Sequence, residues 1–108
     1  MFDSQQSMTG TANQIEWAQQ IRPRVNAEFD RVAKAFEATA LKQLEVDRAD
    51  TLAVIAILEE KRVEVMEKNE AGYFIRDWQE LTDQVRKMIA ADSRYQEIKV
   101  RKAARRTV

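Results

Sequence analysis

Six apolar residues, Val25, Phe29, Val32, Phe36, Ala40 and Leu44, recur at intervals of 4, 3, 4, 4 and 4 residues, and an α-helix is the structure that gathers such a series onto one face. The five steps cover nineteen residues, 3.8 per step, which exceeds the period of about 3.6 of a straight helix. The stripe therefore rotates slowly about the axis and does not hold a heptad seam. Local globular packing is expected, not an extended coiled coil. Val25, Phe29, Val32 and Phe36 face either the chain's own core or a second copy, so a homodimer is one of two expectations.

Upstream, Thr11 and Gln14 stand at capping-box spacing, the hydroxyl placed to accept from the Gln14 amide and the Gln14 side chain to return to the Thr11 amide. Ile15, Ala18 and Ile21 then share a face, with Trp17 about 100° from Ala18. Pro23 lacks an amide proton and disfavours helical backbone at Arg22, so the first long helix is expected to be kinked or broken there. No glycine or turn cluster surrounds Pro23, which favours a kink or an abrupt restart.

The run Thr51-Leu-Ala-Val-Ile-Ala-Ile-Leu is the most apolar segment, and Asp47 and Asp50 precede it as candidate N-caps. Glu59 to Met66 continues it at helical spacing, so residues 51–68 read as the central helix of the core. Tyr73, Phe74 and Trp78 crowd into the seven residues from Gly72 to Trp78, which reads as a short aromatic helical turn or loop. Asp77 with Glu80 opens an amphipathic helix carrying Leu81, Val85, Met88 and Ile89. Ser93 with Gln96 repeats the capping-box spacing and starts a last helix whose end, Arg101 to Val108, is expected to fray because it has only alanines and one terminal valine to bury.

This order of elements predicts an all-α fold, a single-domain bundle of four to five helices. Residues 1–10 read as an N-terminal arm docked through Phe2 and Met8, 11–93 as the helical core domain and 94–108 as a basic C-terminal helix or tail. Composition agrees, since 108 residues with 44% hydrophobic and 33% charged content, two glycines and one proline match a helical bundle. A chain of this size buries roughly 65% of its unfolded surface.

Cysteine and histidine are both absent. That removes the disulfide framework, the thiolate nucleophile, the usual base near neutral pH and most transition-metal ligand sets. The glycines at 10 and 72 are isolated, so neither a phosphate loop nor a nucleophile elbow can be built on them. Glu59 with Glu60, Glu64 with Glu67 and Asp77 with Glu80 are carboxylate pairs of the kind helices carry on their solvated faces. A chain without enzymatic activity, cofactor or metal is expected. No apolar run suits a signal peptide or a membrane span, and with no cysteine the expected compartment is the cytoplasm.

Net charge is zero but uneven. Residues 94–108 hold six basic side chains against one acid, Glu97, and carry +5, which leaves −5 on residues 1–93. Such a tail either complements the acidic body or meets an anionic partner. Lys99, Arg101, Lys102, Arg105 and Arg106 are the candidate phosphate contacts. Trp78 is a candidate partner-binding anchor, because tryptophan is enriched at interface hot spots, whereas Trp17, Tyr73 and Phe74 read as core and cap residues.

Gly10, Thr11, Gln14, Ile15, Trp17, Ala18, Ile21 and Arg22, followed by Ala71, Tyr73, Phe74 and Ile75, resemble the pattern of a small helical module of phage, plasmid and integrative-element proteins. That pattern runs Gly-Ser/Thr-x-Lys-Gln-Ile-x-Trp-Ala-x-x-Ile-Arg, then Ala-x-aromatic-aromatic-Ile-x-x-Arg. Asn13, Pro23 and Trp78 depart from it, and the likeness covers about 20 residues. It implies a mobile-element origin and a structural anchor in which Trp17 packs on Tyr73 and Phe74. The function expected on these grounds is that of a non-catalytic protein binding a host or element-encoded protein stoichiometrically, an inhibitor of a host defence nuclease of anti-CRISPR type. The alternative is a nucleic-acid-binding accessory protein using the basic tail.

Overall fold

The computed structural model describes residues 8–106; Phe2, an expected docking residue, lies outside that range. Among the described residues there are five helices and no strand: α1 (Ala12–Leu41), α2 (Glu45–Met66), α3 (Ala71–Asp77), α4 (Leu81–Ala90) and α5 (Ser93–Arg106). The expected all-α bundle is the observed one.

α1 starts where the capping box places it, with the Thr11 amide donating to Gln14 Oε1 at 3.0 Å and the Gln14 amide donating to Thr11 Oγ1 at 3.2 Å. It then runs through Pro23 without a break. The proline removes one intrahelical donor, but its own ring is exposed while Ala18, Val25, Phe29, Val32, Ala33 and Ala40 around it are buried. Burial of that stripe outweighs a cost of about 3 kcal/mol for an interior proline. The stripe faces the chain's own core, since Val25, Phe29 and Val32 are wholly buried and Phe36 is half-buried.

After a tight turn α2 returns antiparallel to α1. The Arg48 guanidinium donates to the carbonyls of Ala40 and Gln43 near the turn, and Arg22 donates to the Met66 carbonyl at the far end. Between them Arg62 reaches Asn26 and Asp30. Neither Asp47 nor Asp50 caps α2. The helix begins earlier, after Leu44, and Asp47 lies in its first turn while Asp50 is drawn to α5. α2 carries a full share of the core through Val54, Ile57, Leu58 and Val65, yet α1 is the element on which α2, α3 and α4 all pack, and α5 rests on α2 and α4 alone.

Part of the expected arm is tied down. Met8 is buried, Thr9 donates to the Asn69 carbonyl at 2.9 Å, and the Ala71 amide donates back to Thr9 at 2.9 Å. This short parallel bridge closes the loop between α2 and α3. Gly10 follows at φ +139, where an added Cβ would stand 3.1 Å from the Ala71 Cβ, so both the backbone and the close approach require glycine.

The aromatic segment is helical as expected, but Asp77 ends α3 and α4 starts only at Leu81. Trp78 lies between the two and turns inward onto Phe29, ring centroids 5.8 Å apart. At the last helix, Asp92 displaces the expected Ser93–Gln96 box: its Oδ1 accepts from the Arg94 amide at 2.8 Å, and the Gln96 side chain donates to the Ala90 carbonyl. α5 is helical to Arg106. The long α1–α2 hairpin makes the molecule elongated, 58 × 26 × 18 Å.

Phe29→Ala is expected to lower the unfolding free energy by about 3–5 kcal/mol. Leu44→Ala, at the exposed hairpin tip, should change it by less than about 0.5 kcal/mol. Urea denaturation of both variants measures the contrast.

Candidate interaction cleft

The two tryptophans exchange the places expected of them. Trp78 is 4% exposed and belongs to the core, so it is not available as a partner-binding anchor; it fills the gap between α3 and α4 over Phe29. Trp17 is 57% exposed and makes no ring contact with Tyr73 or Phe74, which pack edge-on against each other at 5.1 Å. The helical period explains this. Ala18 and Val25 point at the core, and Trp17, about 100° from Ala18, falls on the shoulder of α1 beside α3. Phe74 is wholly buried, and partial burial pushes the half-buried Tyr73 hydroxyl above its ordinary pKa.

Trp17 therefore forms one wall of a cleft. Ile21 and Arg24 continue that wall along α1, and Ile75, Trp78, Gln79 and Leu81 supply the opposite side from α3, the connection and α4. The cleft has a volume of 300 Å³. Its floor is apolar and rigid because Trp78 is held from beneath by Phe29. Large exposed apolar rings beside a packed concavity are the usual anchor of a protein interface.

Three acids on this side have basic partners. Glu28 accepts two bonds from Arg31, each of 2.7 Å, Asp77 pairs with Arg76 at 3.3 Å and Glu80 pairs with Lys87 at 3.0 Å. The Arg31 guanidinium holds the Glu28 carboxyl below its ordinary pKa. Arg24 is exposed, and among the described residues it has neither an ion pair nor a hydrogen bond.

The basic tail turns back onto the body. Arg105 reaches Asp47 at 3.1 Å and Asp50 at 2.5 Å, and Arg101 reaches Asp50 at 3.5 Å. Asp50 is nearly buried, so it demands such partners, and Arg105 first, with Arg101, holds its carboxyl below the ordinary value of 3.8. At the other end of α5, Arg94 bridges Asp92 and Glu60 while Lys61 reaches Asp92 at 3.0 Å. Arg94 and Lys61 hold Asp92 far below the usual carboxylate range. Of the five candidate tail residues, Lys99 lies over the Tyr95 ring at 5.9 Å, and Lys102 and Arg106 have no ion pair among the described residues.

Among the described residues no group of three Asp or Glu side chains is placed to hold a metal ion, and no helix is long and apolar enough to cross a membrane. Comparison with protein-family models, with curated proteins and with solved structures found no match.

Asp50→Asn is expected to cost about 1–3 kcal/mol at neutral pH by leaving the arginines of α5 poorly matched. Because the folded pKa of Asp50 is depressed, its contribution is complete above the unfolded value near 3.8 and is lost as pH falls through the folded value. Denaturation of wild type and variant at neutral pH and below pH 3 should show the difference shrinking with acid.

Proposed function

We propose that the chain is a non-catalytic binding protein that acts by occupying a surface of a partner macromolecule, with the Trp17 cleft as the contact. One observation carries this reading: a tryptophan more than half exposed on a rigid helix, lining an apolar concavity that the fold itself leaves open. Leaving such a ring in water gains nothing for the fold. At an interface it supplies large contact area at small entropic cost.

The resemblance to phage, plasmid and integrative-element modules gives the reading its specific form. The protein would be a mobile-element product that binds a host or element-encoded protein stoichiometrically, an inhibitor of a host defence nuclease of anti-CRISPR type. Nucleic-acid binding through the tail has weaker support. Arg101 and Arg105 already engage Asp47 and Asp50, so phosphate contact would have to displace these ion pairs.

Purified protein immobilised and exposed to extract of the native host should retain a macromolecular partner that mass spectrometry identifies. Trp17→Ala should reduce retention by about tenfold or more while changing stability by less than about 0.5 kcal/mol. A partner that is a nuclease should lose cleavage as the protein approaches an equimolar ratio. Equal retention by wild type and variant, or retention of no partner, contradicts the reading.

A further inference from the structure

The cleft has a chemical signature as well as a shape. Five of its seven lining residues, Trp17, Ile21, Ile75, Trp78 and Leu81, are apolar, so the body of an occupant must be apolar. The rim adds one unmatched charge. Glu28 stands one helical turn beyond Arg24 and would be its natural i,i+4 partner, but the Arg31 guanidinium holds both Glu28 carboxylate oxygens at 2.7 Å. Asp77 and Glu80 across the cleft are likewise taken, by Arg76 and Lys87. Glu16 precedes Trp17 in sequence but does not line the cleft. Glu28, Asp77 and Glu80 are thus engaged elsewhere, and among the described residues the Arg24 guanidinium has neither an ion pair nor a hydrogen bond.

We propose that the cleft takes a protein segment in which an apolar anchor side chain is followed by a carboxylate, the anchor seated against Trp17 and the carboxylate on Arg24. The proposal rests on the reading of the Trp17 cleft as the protein's interface and adds the chemistry of what enters it. Arg24 lies seven residues after Trp17 on nearly the same face of α1, which is about two helical turns or roughly 10 Å. A partner helix with anchor and acid two turns apart spans this distance, as does an extended strand with them about three residues apart. The planar guanidinium presents paired donors that match a carboxylate. A nucleic-acid strand fits less well, because the walls beside the one stacking ring are aliphatic and a single cation serves the backbone.

The test selects a displayed library of random short peptides against the wild-type protein and measures the selected peptides by fluorescence anisotropy, with labelled oligothymidylate as the nucleic-acid probe. Enriched sequences should pair Leu, Ile, Phe or Trp with a nearby Asp or Glu. Arg24→Glu should weaken the best acidic peptide about tenfold or more and turn selection toward Lys and Arg. Trp17→Ala should abolish binding of both kinds. Both positions are exposed, so the variants keep the fold, and circular dichroism verifies this. Peptides lost in Trp17→Ala but indifferent to Arg24→Glu would overturn the acidic chemistry and leave the cleft standing. Binding unaffected by Trp17→Ala would overturn both, as would selection that enriches nothing, and tighter binding of oligothymidylate than of any peptide would overturn the proposal in favour of a nucleic-acid partner.

Discussion

Trp78 packed on Phe29 is the contact on which the rest of the arrangement depends. Phe29 lies at the middle of α1 and is wholly buried, and the tilted ring pair adds to the area term a contribution of about 0.5–1.5 kcal/mol. More important is where Trp78 sits in the chain. It is the C-cap of α3, the first residue after the helix, so drawing it inward brings both α3 and α4 onto α1. The same inward turn sets the floor of the cleft and leaves Trp17, on the adjacent shoulder of α1, without a covering element among the described residues.

A second constraint closes the molecule at its opposite side. α5 buries only Ile98 fully, too little apolar area to hold fourteen residues in place by itself. Ion pairs at both ends supplement it, Arg94 and Lys61 with Asp92 and Glu60 at the start, and Arg101 and Arg105 with Asp47 and Asp50 at the end. Because the Asp50 and Asp92 side chains are both mostly buried, their pairs matter more than exposed ones. Three of the six basic side chains of residues 94–108, Arg94, Arg101 and Arg105, are thus paired within the chain.

Helix content and most helix positions were legible from period and punctuation. The Thr11 capping box, the α1 stripe and the amphipathic α4 follow from local rules, and local rules suffice where a side chain bonds its own neighbours. The failures are tertiary. Asp47 and Asp50 look like caps until α5 arrives with arginines; Ser93 looks like a cap until Asp92, one residue earlier, accepts the Arg94 amide. Pro23 interrupts a propensity, but the burial of Val25 and Phe29 overrides it. The roles of the two tryptophans were the hardest to read, because a wheel places Trp17 at the edge of a face and only the packing of α3 decides whether that edge is covered. A signal was present in the seven-residue spacing of Ala18 and Val25, two helical turns on one face, with Trp17 off their line.

Two residues of one kind take opposite places in the fold, Trp17 exposed and Trp78 buried. Acrylamide quenching of tryptophan fluorescence separates them most directly, using Trp78→Phe to report Trp17 alone and Trp17→Phe to report Trp78 alone. Trp17 should emit as a water-exposed indole and be strongly quenched, whereas Trp78 should be blue-shifted and protected. A shielded Trp17, with quenching no greater than that of Trp78, would contradict the open cleft and return Trp17 to the core.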